Sequence, residues 1–293
     1  MRSRTTRSAG AWRSERLPEA TLTAVSVAFA LAEGRTRLEQ AGCDTPRLDA
    51  ELLLAAALSV GRERLILDRD RTLDEDARSR YRSLITRRTA REPVAYILGL
   101  KPFRHISLAV DRRALIPRPE TELLVEVGLT LAPGAAVADV GCGSGAVALA
   151  LKHERPDLSI SAIELDAGAL ALARDNAARL ELDVRLVQAD LLDDFRYDAV
   201  LANLPYVADG ATLAPEITSY EPAVALFAGA DGLDAIRRLT ARLGDRPGVK
   251  LVALEIGTDQ AAAVVALLGA GGFGSLEVLR DLAGYERVVV GRR

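Results

Sequence analysis

From residue 135 to the C-terminus, short apolar runs alternate with longer segments of helical periodicity, and this alternation restricts the fold more than any other feature. Runs at 136–140, 158–165, 183–187, 197–202 and 250–256 read as buried strands. Segments at 146–154, 167–180, 233–243 and 259–268 read as helices. Strands joined through helices form a parallel sheet covered on both faces. Two last strands, 275–279 and 286–290, share the short loop 280–285 and should run antiparallel to each other.

The chain of 293 residues has room for a second unit ahead of this sheet. Residues 22–91 carry a helical pattern. Val27, Leu31 and Leu38 fall near one face of a first helix, which Gly42 ends. Pro46 opens a second, with Leu48, Leu52, Ala55, Ala56 and Val60 at helical spacing. Asp74 suits the N-cap of a third, along which Ala77, Tyr81, Leu84, Ile85 and Arg88 recur. We expect a small helical bundle over 21–91. Its spacing specifies no chemistry; as architecture it suits a substrate-docking domain. Glu92-Pro93 then breaks the pattern. Strands at 95–98 and 106–110 joined through 99–105 predict a hairpin linker over 92–114, with His105 as a surface loop histidine.

Composition narrows the functional classes. Hydrophobic residues at 49% and charged residues at 27% describe a soluble globular protein. A net charge of −3 is unlike a general nucleic-acid binder. No run of eighteen apolar residues is present. Cys43 and Cys142 form no CxxC pair, and with His105 and His153 they make no metal-ligand cluster. The simplest reading is cytosolic and metal-free. Five Arg and one Glu fall within the first sixteen residues, with no apolar core following. Residues 1–20 therefore read as a disordered basic tail or an early start, a transit peptide being the other compositional match.

Asp139-Val140-Gly141-Cys142-Gly143-Ser144-Gly145 lies between the first strand of the sheet and its first helix. Glycines let a backbone turn tightly and approach a ligand. Gly141, Gly143 and Ala146 also satisfy a dinucleotide fingerprint, which leaves the loop ambiguous by itself. Two acids turn the reading. Asp139 would repel a pyrophosphate but could receive an ammonium group. Asp190 follows the third strand, where a contact to an adenine edge is useful. Glu164 ends the second strand and suits a ribose diol. A cationic adenosine ligand bearing an amino acid is S-adenosylmethionine, whose carboxylate could sit on the N–H groups of the glycine loop. Cys142 reads as a packing residue.

Asn203-Leu204-Pro205-Tyr206 follows the run 197–202. A side-chain amide, a Pro-fixed turn and a ring at the mouth of a sheet suit the holding of a flat polar group. An ordinary turn is the plain alternative. Leu115-Ile116-Pro117-Arg118-Pro119-Glu120-Thr121-Glu122 precedes a helix expected at 121–131. Glu120 and Glu122 suit the helix start; a stiff Pro-Arg-Pro loop also suits fixing Arg118 and Glu120 in a site. Spacing does not choose between the two.

At this point the residues resemble a known family, the protein-(glutamine-N5) methyltransferases that modify peptide chain release factors. The likeness spans roughly residues 22–293. It runs through Arg47-Leu48-Asp49-Ala50-Glu51-Leu52-Leu53 and Pro93-Val94-Ala95-Tyr96-Ile97-Leu98-Gly99, with Phe103. The Pro-Arg-Pro segment, the glycine loop, Tyr220-Glu221-Pro222, the stretch 225–233, and Glu255-Ile256-Gly257 with Gln260 continue it. The family's usual Asn-Pro-Pro-Tyr reads Asn-Leu-Pro-Tyr here, similar to the ribosomal-RNA adenine dimethyltransferases. If position 204 works through its carbonyl, Leu204 serves as Pro would.

The resemblance implies a seven-stranded Rossmann-like class I methyltransferase sheet over 115–293. It implies transfer of a methyl group from S-adenosylmethionine to the glutamine of a Gly-Gly-Gln loop in a release factor. Asp139, Gly141, Gly143, Gly145, Glu164, Asp190, Asn203 and Phe103 would hold the cofactor. Asn203, Leu204, Pro205 and Tyr206 would carry the reaction and, with Arg118 and Glu120, the acceptor. No stable nucleic-acid partner, no membrane and a monomer are expected. An adenine-N6 methyltransferase acting on RNA or DNA is the nearest rival, because an exocyclic amine poses the same problem as an amide. A dinucleotide oxidoreductase and a catalytically silent cofactor-binding module are the others.

Overall fold

The computed structural model describes residues 25–293. The basic tail expected at 1–20, and the first residues of the helical unit expected from 21, lie outside them. Helix α1 (Val27–Gln40) begins at Ser26, whose hydroxyl accepts the Phe29 N–H at 3.2 Å. Gly42, at φ +72°, turns the chain away after it. Helix α2 (Pro46–Leu58) buries Ala50, Leu53, Leu54 and Ala57. Of the stripe expected from spacing only Ala55 is buried, and Leu48 and Ala56 are exposed. Residues 52–58 are apolar all the way round, so periodicity could not select a face.

After a short helix α3 (Arg64–Leu67), α4 (Glu75–Thr89) starts on Asp74, whose carboxylate accepts the Ala77 N–H at 2.7 Å. It buries Ala77, Tyr81, Ile85 and Arg88, in agreement with the spacing. Burial of the Arg88 guanidinium is compensated by Asp49 of α2, at 2.7 Å from its Nε. Each fully buried leucine of this bundle contributes roughly 2 kcal/mol through apolar area removed from water.

The strand expected at 95–98 is a helix, α5 (Val94–Leu98), capped by Pro93 and by Gly99 at φ +70°. The hairpin itself is present one step later. Strands β1 (Leu100–Phe103) and β2 (Ile106–Ala109) pair antiparallel across the two-residue turn Arg104-His105. His105 is exposed in that turn. A 3-10 turn, Pro119–Thr121, then leads into α6 (Glu122–Leu129).

The main sheet comprises β3 (Ala136–Val140), β4 (Ser159–Glu164), β5 (Arg185–Gln188), β6 (Ala199–Ala202), β7 (Leu251–Glu255), β8 (Ser275–Arg280) and β9 (Glu286–Arg292). Its seven strands lie in the order β5-β4-β3-β6-β7-β9-β8. The first five named are mutually parallel, and β9 is antiparallel to both neighbours. Helices α7 (Ala146–Glu154), α8 (Ala167–Arg179), α10 (Asp234–Gly244) and α11 (Ala261–Ala270) connect them, with one short helix, α9 (Pro215–Tyr220), in the loop after β6. Side chains alternate across the sheet: Val137 packs with α6, α7 and α8, whereas Ala138 and Val140 pack with α10 and α11. From β3 the chain moves outward through β4 and β5, then returns to β6 on the other side. That reversal opens a crevice at the carboxyl ends of β3 and β6, where ligands bind in sheets of this kind. No helix among the described residues is long and apolar enough to cross a membrane.

Candidate active site

A cavity of about 780 Å³ occupies this crevice. Asp139, Gly141, Gly143 and Ser144 form one wall at the end of β3. Gly141 has φ +72°, and a Cβ there would stand 3.0 Å from Leu204 Cδ2, so the wall closes only around a glycine. Asp139 is buried, and its Oδ2 accepts the Ala148 N–H at 2.9 Å in the first turn of α7. Burial pushes its carboxyl up to about 7, against the pull of that hydrogen bond. Glu164, ending β4, accepts Gly143 N–H at 2.9 Å with Oε2, and the N–H groups of Leu165 and Asp166 with Oε1. It thereby braces the glycine loop from the neighbouring strand. Asp190 faces the cavity from the end of the β5 segment and is paired with Arg238 and Arg242 of α10. Asn176 of α8 ties the hairpin to the loop: its Nδ2 donates to the Ala109 and Ser144 carbonyls, both at 3.0 Å.

This wall suits a cationic ligand that carries hydroxyl and carboxylate groups. Acids end adjacent strands beside a helix start, and the Ser144 hydroxyl is buried on the wall with no protein partner among the described residues. Cys142 is buried here too, and burial pushes its thiol well above its ordinary range, which leaves it unsuited as a nucleophile.

The opposite wall is built around Asn203, which follows the fully buried strand β6. Its Nδ2 donates to the Thr121 hydroxyl at 3.0 Å, and no protein donor among the described residues meets its Oδ1. Leu204 is buried with its side chain against Gly141, and no protein donor among the described residues meets its carbonyl. Tyr206 points the other way. Its hydroxyl donates to Glu255 Oε1 at 3.3 Å, its carbonyl accepts from Gln260 Nε2 at 3.0 Å, and its ring lies against Gly257. Burial raises the Tyr206 phenol. Glu255 ends β7, is 1% exposed, and is pushed up to about 7 by burial.

Loops after β6 and before α6 close the rim. Glu221 accepts from Arg118 Nη2 at 2.6 Å and from the Ile116 N–H at 3.1 Å. Glu216, in α9, meets Arg88 at 3.0 Å and Arg91 at 2.6 Å, and the Tyr220 hydroxyl donates to the Ala90 carbonyl at 2.7 Å. The N-terminal helices are therefore bonded directly to the loop that follows Asn203.

Of the residues singled out in the sequence, Asp139, Gly141, Gly143, Glu164, Asp190, Arg118, Asn203, Leu204 and Pro205 line one cavity. Four do not. Phe103 is 2% exposed inside the core beneath the hairpin, because it is the inward residue of β1. Gly145 lies at the start of α7 with φ +86°, where it turns the chain. Glu120 sits on the far side of the 3-10 turn, near Glu255 and Arg287. Tyr206 is drawn off the wall by Glu255. Gln260 and Glu221 were not assigned roles from the sequence, although each lies in a segment that carried the family likeness, and Thr121 was placed at the site only within the segment 118–122. Their contacts are tertiary, so spacing gave no signal for them.

Residues 30–99 match the family described as PrmC N-terminal domain, and residues 119–220 the Methyltransferase small domain. The chain is 39% identical over 269 residues to the release factor glutamine methyltransferase of Caulobacter vibrioides, covering 88% of this chain and 93% of that protein. It is 43% identical over 262 residues to that of Burkholderia pseudomallei, covering 84% and 91%. Among solved structures, the hMettl16 catalytic domain in complex with a MAT2A 3'UTR hairpin aligns with a TM-score of 0.52 at 14% identity, over 71% of this chain and 80% of that one. That last likeness is one of fold. The two sequence relatives, matched across almost their whole lengths, settle the family: the chain belongs to the release factor glutamine methyltransferases.

Proposed function

We propose that this protein methylates the side-chain amide nitrogen of the glutamine in the Gly-Gly-Gln loop of a release factor, with S-adenosylmethionine as methyl donor. The observation that carries this reading is the Asn203 amide, whose NH2 is engaged by Thr121 and whose Oδ1 is left facing the cavity. A glutamine amide has two N–H donors. Asn203 Oδ1 and the Leu204 carbonyl are two acceptors one residue apart. When bound, the cofactor supplies an electrophilic methyl group on a sulfonium. Asp139 would receive its ammonium, Glu164 its ribose hydroxyls, and the glycine-loop N–H groups its carboxylate.

An amide nitrogen is a poor nucleophile because its lone pair is delocalised into the carbonyl. Accepting both N–H bonds at fixed positions favours pyramidal nitrogen and aims its lone pair along the line of transfer. The amide nitrogen would take the methyl carbon as the carbon–sulfur bond breaks with its electron pair left on sulfur, and would then lose a proton to water. No strong base is needed, because that proton becomes acidic only once the methyl group has arrived. Catalysis is then positioning with exclusion of water. Pro205 stiffens the turn, and Tyr206 anchors it from behind through Glu255 and Gln260. The helical domain docks the protein substrate, and the enzyme works as a cytoplasmic monomer.

Labelled methyl transfer to purified release factor tests the reading. We expect incorporation into the wild-type factor and none when the glutamine of its Gly-Gly-Gln loop is replaced. Methylation of RNA adenine in place of the factor would refute it.

A further inference from the structure

We propose that Gln260 is a positioning residue for the amide clamp: its side-chain amide pins the Tyr206 end of the tetrapeptide together with the returning end of the loop that follows, and so holds the Asn203 and Leu204 acceptors still. This rests on the reading of Asn203 given above. Gln260 stands at the N-cap of α11, just beyond the end of β7, and is not part of the cavity lining.

The amide is fully used. Nε2 donates to the Tyr206 carbonyl at 3.0 Å and to the Asp231 carbonyl at 3.2 Å, and Oε1 accepts the Gly257 N–H at 2.8 Å. A carboxamide has two donor hydrogens and an acceptor oxygen. Two of these partners are carbonyls, which only accept, and the third is an N–H, which only donates. The partners therefore fix which way the Gln260 amide faces.

What the amide joins is the base of a loop. Val207, next after the tetrapeptide, pairs with Phe227: its N–H donates to the Leu226 carbonyl at 2.8 Å, and its carbonyl accepts the Ala228 N–H at 2.9 Å. The chain between them carries Glu216 and Glu221, the two acids of the rim. Gln260 holds Tyr206 on the outgoing side and Asp231 on the returning side. Two glycines pack against the same point. A Cβ on Gly232, at φ +74°, would collide with the Tyr206 carbonyl oxygen, and one on Gly257 would stand 3.1 Å from Gln260 Oε1 and 3.2 Å from the Tyr206 ring. Freed of the amide, the Tyr206 carbonyl can rotate, and the stiff Pro205 passes that movement to the Leu204 carbonyl.

The test compares Gln260→Ala, Gln260→Glu and Asn203→Ala in the full chain, by steady-state methylation of release factor and by calorimetric binding of S-adenosylmethionine. Gln260→Ala should lower kcat by roughly 10- to 100-fold, the scale of a reacting group displaced by about 1 Å. Cofactor affinity should stay within about twofold, because Glu164 and the Ala148 N–H brace the glycine-loop wall without Gln260. Gln260→Glu keeps the size and the acceptor for Gly257, but turns an anionic oxygen on two carbonyls; protonation restores one donor. Its kcat relative to wild type should rise by roughly fivefold from about pH 8 to about pH 6, and that of Gln260→Ala should stay level. Near-wild-type kcat in Gln260→Ala, with Asn203→Ala inactive, overturns the role of Gln260 alone. A lowered denaturation midpoint with unchanged kcat, the mark of a residue that only holds the fold, does the same. So does a loss of kcat matched by an equal loss of cofactor affinity, or a Gln260→Glu ratio that stays flat with pH. Full turnover in Asn203→Ala overturns the clamp itself. Cofactor binding by each variant reports that it has folded.

Discussion

Replacing Asp139 by Asn should stabilise the free protein at alkaline pH while weakening its hold on the cofactor. Asp139 is 2% exposed, with one hydrogen bond from the Ala148 N–H and no cation among the described residues to offset its charge. Its pKa in the folded protein is about 7, against an ordinary value of 3.8. The folded state thus binds the proton more tightly than the unfolded chain. Stability is full below the unfolded value, falls as pH rises from 3.8 toward 7, and has lost its whole increment above that. The gap corresponds to about 4 kcal/mol at 1.36 kcal/mol per pH unit. Asparagine keeps the acceptor for Ala148 and has no charge to bury. Urea denaturation of both proteins from about pH 5 to 8.5 should show Asp139→Asn gaining on wild type by about 3 kcal/mol across that range. Calorimetry should show cofactor binding weakened at pH 8, and proton release on binding to wild type below pH 7 that is absent from the variant. A stability difference that stays flat with pH, or moves the other way, would refute the burial argument. Unchanged cofactor affinity would refute the placement of the ammonium group.

Further predictions concern other parts of the site. Asn203→Ala should abolish methyl transfer while cofactor affinity, measured by calorimetry, stays within about twofold, a difference under 0.5 kcal/mol. Gly141→Ala should destabilise the fold by about 1–2 kcal/mol, because a Cβ at φ +72° is strained and meets Leu204 at 3.0 Å. Chemical denaturation and a raised cofactor Kd would register it together. Arg88→Met leaves the Asp49 and Glu216 carboxylates without their shared partner and should destabilise by about 3 kcal/mol. In the same variant KM for release factor should rise more than kcat falls; an unchanged KM would separate the helical domain from substrate capture.

Most of the sheet could be read from the chain, because its central strands β3, β4, β6 and β7 are buried runs separated by helical segments. Asp166, for instance, accepts the Ala169 N–H at 2.8 Å where α8 was expected to begin. Residues 95–98 read as a strand but belong to the helix Val94–Leu98. Five apolar residues, β-branched and aromatic among them, fit either state, and the deciding caps, Pro93 and Gly99, lie outside the run. In the site, acids at strand ends were legible because topology brings the carboxyl ends of parallel strands together. The support behind Asn203 was not. Thr121 meets Asn203, Glu255 and Gln260 meet Tyr206, and only the folded chain brings these three separate elements to the tetrapeptide. Phe103 shows the converse: the resemblance implied a contact with the cofactor, and the residue's strand turns it into the core.

The short helix α9 has a mechanical consequence. Glu216 near its start is gripped by two arginines of the N-terminal helices, and Glu221 just past its end grips Arg118 on the cavity rim. A carboxylate at each end of so short a rod makes it a lever with both arms attached. The ion pairs at both ends of α9 would carry a displacement of the helical bundle to the cavity rim.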